Sequence, residues 1–369
     1  MTDKEVCRYI DLADRRAFIV MNSGVGWRPE YAAELEAIDK ELAELRRLVD
    51  QEHGRREAQA GGGCTGRAGA ACMHERRQAA LEGIVEAVKA GMGEGYEAGH
   101  REAVKNNGVI LQGVWARRHG SACCPQVYVD GLLDKITGGE ASVEEAAREV
   151  IGVFRRGLNE GERYVGILAG LSREDVLGRV VYKLVRTEGN GERLERLFHK
   201  ELMDMSAVYL IALDEGRSGM VSVAASDAVC RRYGIGLEEL DVAARENTWR
   251  AGFCIRRVVD ILAEAVYSGP GDPGVEGPEM YVVTSKSCLN GAAAMLYPEL
   301  FGELAQMLGA DLYVLPSSIH EVIVVPACGN PDDLRKVVAE VNRSGVAGDE
   351  VLSGNVYRYS RQTGGFSVA

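Results

Sequence analysis

The segment at residues 58–72 places the strongest constraint on how this chain can fold, because it contains no apolar periodicity from which a core could form. It reads AQAGGGCTGRAGAAC, in which ten of the fifteen residues are Gly or Ala. Such a composition is typical of a flexible linker. The sequence therefore predicts an N-terminal unit at 1–57, a linker at 58–72 and a larger unit at 73–369. The length of 369 residues agrees with this division, since a single core rarely grows beyond ~250–300 residues.

Residues 1–57 are predicted to form a helical hairpin. Residues 3–20 carry apolar side chains at helical spacing, residues 22–26 favour a turn, and Pro29 suits the first turn of a second helix. Apolar residues follow at spacings of four and three, namely Tyr31, Leu35, Ile38, Leu42, Leu45 and Val49. This seam either packs on the first helix or pairs with a second chain as a short coiled coil. A structural fusion that self-associates through residues 31–49 is therefore one hypothesis for the function.

The larger unit mixes helix and strand signals, which predicts an α+β fold with short antiparallel hairpins. The dipeptide Asn107-Gly108 between two strand-like runs is typical of a hairpin turn with positive φ at both residues. Ser142 with Glu145, and Ser172 with Asp175, predict capped helices at 142–156 and 176–185. Further predictions are strand pairs at 207–213 with 219–225 and at 311–315 with 320–325, a largely helical stretch at 226–266, a helix at 331–342, and an edge strand at 356–360.

Composition and charge exclude several classes of function. The formal charge of −12 repels phosphate backbones, so a nucleic-acid partner is disfavoured. No apolar run approaches 18 residues and the first residues lack an apolar stretch, so neither a membrane partner nor a signal peptide is expected. The nine cysteines are odd in number and contain no C-x-x-C pair, which favours reduced thiols in the cytoplasm. No phosphate-loop, dinucleotide or zinc motif occurs, so no cofactor and no metal are predicted.

The turn between the two strands at 311–325 carries the first candidate site, formed by Ser317, Ser318, His320 and Glu321. These are the residue types of a nucleophile, a base and an acid, within five positions. A hydrolase using Ser317 or Ser318 with His320 is one interpretation, although no G-x-S-x-G elbow is present. The same residues also suit a plain turn or a contact with a ligand.

Lys286 marks a second candidate, in a polar loop that leads from a strand into a helix at Gly291. A cation beside free backbone N–H groups suits an anion. Together the two candidates favour a non-enzymatic binding protein with a site near Pro316–Glu321. Its partner is predicted to be another protein or a small molecule, and the hydrolase and the structural fusion remain alternatives.

Four segments of the larger unit also resemble a known family. They are Lys105-Asn-Asn-Gly108-Val, Val181-Tyr-Lys-Leu-Val185 with Thr187-Glu188, Thr284-Ser-Lys286 with Gly291–Pro298, and Leu312–Val322 with Pro326. Together they resemble an uncharacterised bacterial family, domain of unknown function 5688, over most of 73–369. The resemblance implies no activity, cofactor or catalytic residue. Residues 1–57 lie outside it and are similar instead to a small helical bacterial protein, through residues 14–27.

Overall fold

The structure, a computed structural model, describes residues 37, 40–41, 67–216, 219–261, 279–316 and 318–369. They form helices and antiparallel sheets, so the predicted α+β class is confirmed. The chain divides between Leu171 and Ser172 into two compact units, here the N-terminal unit (67–171) and the C-terminal unit (172–369). The predicted helical hairpin and its seam lie outside the described residues, apart from the helical Ala37, Lys40 and Glu41. Self-association through 31–49 therefore stays a prediction.

The N-terminal unit packs three helices on a three-stranded antiparallel sheet of order β1-β2-β3. Its elements are α1 (Arg67–Met92), β1 (Tyr96–Val104), β2 (Ile110–Arg118), β3 (Gln126–Tyr128), α2 (Asp130–Thr137) and α3 (Val143–Gly170). Ile84, Val114, Leu133 and Phe154 are almost fully buried between helices and sheet. Residues 67–72, predicted as linker, are the start of α1, which agrees with the high helix propensity of alanine.

Features that depend only on residues close in sequence agree with the sequence predictions. Asn107 and Gly108 have φ of 60° and 70°, so both central residues of the β1–β2 turn are left-handed as predicted. Ser142 and Glu145 form the predicted capping box of α3, and Ser172 and Asp175 form that of the next helix.

The C-terminal unit contains two antiparallel sheets. In the first, β6 pairs with β4 along one side and with β5 and β7 along the other. Its elements are α4 (Arg173–Arg179), β4 (Val180–Arg186), α5 (Gly191–Leu194), β5 (His199–Leu202), β6 (Met205–Gly216) and β7 (Gly219–Ala224), followed by α6 (Asp227–Tyr233) and α7 (Leu237–Ala251). The predicted helix at 176–185 is therefore wrong beyond Arg179. Residues 180–186 pair with β6 instead, as suits a run rich in β-branched residues.

The second sheet has six strands in the order β13-β12-β10-β11-β9-β8. The remaining elements are β8 (Phe253–Arg257), β9 (Tyr281–Ser285), a 3-10 helix (Gly291–Leu296), α8 (Pro298–Leu308), β10 (Leu312–Leu315), β11 (Glu321–Pro326), α9 (Pro331–Ser344), β12 (Tyr357–Ser360) and β13 (Gly365–Val368). Two predictions are corrected here. Residues 253–257 are a strand inside the stretch predicted as helical, and β12 is not an edge strand, because β13 pairs with its outer side.

The antiparallel order of this sheet places several chain ends together. Strands β9 and β10 finish, and β8, β11 and β12 begin, at the same end of the sheet. The segments that follow β9 and β10 carry the residues singled out in the sequence. The directions of the strands therefore place these residues at the same end of the sheet.

Candidate functional site

The end of the six-stranded sheet brings together Lys286, which follows β9, with Ser318, His320 and Glu321, which lie at or before the start of β11. Ser317 lies outside the described residues. The structure adds Glu350, which faces His320 from a later turn. Lys286, Ser318, His320, Glu321 and Glu350 are called the sheet-end site below.

His320 has a neighbouring group at each of its ring nitrogens. Nδ1 accepts a hydrogen bond from the backbone N–H of Asn290 at 3.2 Å, and Nε2 lies 3.4 Å from a carboxylate oxygen of Glu350. Because Nδ1 accepts, the proton of the neutral ring is on Nε2. The side chain is still 25% exposed, so the imidazole is fixed in orientation and accessible at its surface.

Ser318 is a buried turn residue. Its side chain hydroxyl accepts a hydrogen bond from the backbone N–H of His320 at 3.0 Å, and its backbone forms a bridge with Val351. Serine hydroxyls commonly close turns in this way. The ring of His320 is engaged by Asn290 and Glu350, so it is not placed as a base for the Ser318 hydroxyl.

Two charged residues lie at the same end of the sheet as the histidine. Lys286 is exposed and Glu321 is half-buried, and neither side chain has a salt-bridge partner among the described residues. The stem of Lys286 lies on Gly252, where φ is +86° and an added Cβ would come within 2.9 Å of the lysine Cε. The positive φ favours a glycine at 252, whereas the end of the flexible lysine could move away from an added Cβ.

The loop that holds Nδ1 depends on a second glycine. An added Cβ on Gly291 would lie 2.4 Å from the carbonyl oxygen of His320 and 2.3 Å from the backbone nitrogen of Ser285. The hydroxyl of Thr284 donates to the same His320 carbonyl at 2.8 Å. Only a residue without a side chain lets the start of the 3-10 helix approach so closely, which fixes Asn290 beside the imidazole.

A polar network lies behind the site, formed by Asp204, Ser353, Asn355 and Tyr357 and called the Asp204 network. The carboxylate of Asp204 accepts hydrogen bonds from Ser353 at 2.8 Å, from Asn355 at 2.9 Å and from the hydroxyl of Tyr357. Burial, followed by the hydrogen bond to Asp204, raises the pKa of Tyr357 well above its usual range. The phenol therefore stays a neutral donor.

The Asp204 network is connected to the turn of the sheet-end site by backbone hydrogen bonds. The N–H of Ser353 donates to the carbonyl of Pro316 at 3.0 Å, and the N–H of Ile319 donates to the carbonyl of Glu350 at 2.9 Å. The connection from β10 to β11 is thus pinned by the segment 350–353. The network acts as a positioning element for Ser318 and His320.

The sequence predicted Lys286, Ser318, His320 and Glu321 as site residues, which stays a prediction, and it did not identify the residues that contact them. Glu350, Asn290 and Asp204 lie far from the turn in sequence and belong to no motif. The signal that could have located Asn290 is indirect: an Asn-Gly pair favours a left-handed residue, and Asn290 has φ of 54°.

The described residues were also compared with the requirements of a metal site and of a membrane-spanning helix. Among them, no group of three or more His, Cys, Asp or Glu side chains is arranged to hold a metal ion. Within the same residues, none of the helices combines the length and the apolar character that a bilayer crossing requires.

Comparisons with known proteins give one result. The model of a family of unknown function, DUF5688, matches residues 79–361, which is well over half of the chain and includes the sheet-end site. No curated protein and no solved structure matches the sequence.

Proposed function

Since this chain belongs to the family of unknown function DUF5688, we propose its function from its site alone: it is a binding protein that presents the sheet-end site to a small molecule or a protein partner. The observation that carries the proposal is the state of His320. Nδ1 accepts a hydrogen bond from the N–H of Asn290 and Nε2 lies 3.4 Å from a carboxylate oxygen of Glu350, yet a quarter of the side chain is exposed. A preorganised polar group costs little conformational entropy on binding.

Two charged residues support the same proposal. Lys286 and Glu321 lack salt-bridge partners within the described residues. They offer an ammonium and a carboxylate at the same end of the sheet as the oriented imidazole. A partner that carries both a negative and a positive group would complement Lys286 and Glu321.

A hydrolase is the second candidate, and one observation favours it. Glu350 lies at hydrogen-bonding range of His320, as the acid of a nucleophile–histidine–acid set would. Because Ser318 is engaged in the turn, Ser317 would have to be the nucleophile. The Asn290 N–H that occupies Nδ1 argues against it, since that nitrogen would have to accept the serine proton.

We also propose that the protein acts in the cytoplasm. The six cysteines whose side chains the structure describes are free thiols, as expected in a reducing compartment, namely Cys123, Cys124, Cys230, Cys254, Cys288 and Cys328. The division into a hairpin, a linker and the remainder is likewise a proposal. Mild proteolysis should cut within 58–66 and leave a folded fragment, and cuts spread through 80–260 would contradict it.

The binding proposal is tested by native mass spectrometry of the full-length protein after incubation with cell extract and desalting. The bound species should persist with wild type and be lost with Lys286→Ala and with His320→Gln. Lys336→Ala is the matched control, since Lys336 is an exposed lysine of the same unit that pairs only with Asp333. Retention of the same species by all variants would reject the site.

The hydrolase candidate is tested with p-nitrophenyl acetate as a reactive ester. Ser317→Ala and Ser318→Ala should leave any background hydrolysis unchanged if the protein only binds. Turnover that disappears in Ser317→Ala and in His320→Gln, with the melting temperature preserved, would overturn the binding proposal in favour of the hydrolase.

A further inference from the structure

A cleft opens in the C-terminal unit on the first sheet, where β6 continues past the start of β4. It has a volume of about 380 Å³ and lies within the size range of small-molecule sites. Its floor includes Ala212, Leu213 and Asp214, where the pairing of β6 with β7 shifts register. Bulges of this kind are common beside binding sites, because they redirect side chains.

Two helices end at this cleft, and each contributes an arginine from its last turn. Arg179 comes from α4 and Arg250 from α7, and both side chains are exposed. Asn247 of α7 holds the end of α4 in place by donating its side chain amide to the carbonyls of Leu177 and Val180, at 2.7 and 2.9 Å. The separation of the two helix ends is therefore fixed.

The arginines keep most of their donors available. Arg250 donates to the side chain oxygen of Asn247 at 3.2 Å, which uses one of five N–H groups. Arg179 acts electrostatically on Asp175 but donates no hydrogen bond within the described residues. Asp214, the acidic residue of the lining, already has an interaction of its own. With two guanidinium groups and one carboxylate, the lining has a net formal charge of +1 in a chain of net charge −12.

Attraction to the helix dipole explains why an arginine stands at one helix end. It does not explain why two such ends are tied together around a cleft. Arg343 gives the comparison: it lies exposed in the last turn of α9, and is not among the lining residues of this cleft. All three arginines lie in the last turn of a helix, where they interact favourably with the helix dipole. Of the three, Arg179 and Arg250 line the cleft and Arg343 does not.

We propose that the cleft between Arg179 and Arg250 binds a phosphate group, carried by a small phosphate monoester or present as the free ion. Guanidinium groups match phosphate oxygens through paired N–H donors, which favours phosphate over a point-like anion. The apolar lining from Val181, Leu213 and Ala251 would contact the carbon part of an ester.

The test is calorimetric titration of the full-length protein with inorganic phosphate and with glycerol phosphate, at ionic strength held constant with sodium chloride. Saturable binding should weaken at least tenfold in Arg179→Ala and in Arg250→Ala, and stay within twofold of wild type in Arg343→Ala. His320→Gln should also leave it unchanged, so this result is separable from the sheet-end site. Melting temperatures check that each variant is folded.

The two titrants distinguish the sources of the phosphate. Tighter binding of glycerol phosphate identifies an ester as the ligand, and equal or tighter binding of inorganic phosphate identifies the free ion. Binding that falls equally in Arg343→Ala, or acetate binding as tight as phosphate, would overturn the proposal.

Discussion

Two carboxylates of the C-terminal unit, Asp241 and Asp204, each accept a hydrogen bond from at least one tyrosine hydroxyl, but in different surroundings. Asp241 of α7 accepts hydrogen bonds from Tyr182 at 2.7 Å, from Tyr209 at 2.9 Å and from the ammonium of Lys200 at 3.1 Å. Its own side chain is 25% exposed. The donors to Asp204 are all neutral, and two of them, Ser353 and Tyr357, are fully buried.

The difference concerns what each carboxylate joins. Asp241 fastens one helix to strands β4 and β6 of the sheet it covers, with a cation and solvent to share its charge. Asp204 joins a turn to a segment about 150 residues later, and this segment supports the sheet-end site. The Asp241 contacts therefore secure the fold locally, while those of Asp204 secure the fold and the site together.

Asp204→Ala should have the largest effect. Three donors lose their acceptor, and an unsatisfied buried donor costs ~1–3 kcal/mol, so the free energy of unfolding should fall by about 3–5 kcal/mol. Urea denaturation monitored by circular dichroism measures it. Asp333→Ala is the control, since that exposed carboxylate pairs only with Lys336 on its own helix. A loss below about 1 kcal/mol would mean that water replaces the carboxylate.

The same comparison can be made at the site itself. Asp204→Asn should shift the ring resonances of His320 in an NMR spectrum, because Ser353 holds Pro316 in the turn before it. Asp241→Asn should leave those resonances unchanged. Equal shifts in both variants would show that Asp204 has no special connection with the site.

Asp241→Ala should have a smaller effect, about 2 kcal/mol, because the Asp241 side chain is itself 25% exposed, so that water can take the place of its carboxylate beside the two buried phenols. Burial alone would raise the pKa of Asp241, but the hydrogen bonds from Tyr182, Tyr209 and Lys200 outweigh it and lower the pKa. The ionised form thus stabilises the fold above the unfolded pKa of about 4, and this contribution disappears as the pH falls below it.

That pH dependence gives a second measurement on Asp241. Between pH 7 and pH 3, wild type should lose more free energy of unfolding than Asp241→Asn, which has no carboxylate to protonate. Identical losses in the two proteins would contradict the lowered pKa of Asp241.

Lys200→Met should have the smallest effect, within about 0.2–1 kcal/mol at low salt, because exposed ion pairs contribute little. The difference from wild type should vanish in 1 M sodium chloride, where charges are screened within ~3 Å. A salt-independent loss would indicate that the stem of Lys200 matters through packing.

The sequence predicted features that depend on neighbouring residues. The capping boxes at Ser142 and Ser172, and the left-handed pair Asn107-Gly108, follow from side chains within three positions of each other. It also identified the turn that carries His320, since a polar group between two apolar strands is easily recognised.

What it could not predict depends on pairing between distant segments. Residues 253–257 form a strand because β9 lies beside them, although the surrounding stretch reads as helical. The partner of His320 is Glu350, and the partners of Asp204 lie 149 to 153 positions away. No periodicity or spacing contains that information, so the sequence could name candidate residues but not their partners.

The separation of Asp204 from Ser353 also has a consequence during synthesis. A ribosome adds about 5–20 residues per second, so the turn at Asp204 waits roughly 7–30 seconds before its acceptor oxygens can meet the segment 353–357. The sheet-end site therefore matures only after residues 350–357 have been translated. A nascent chain stalled before residue 350 would have strands β1 to β11 and no finished site.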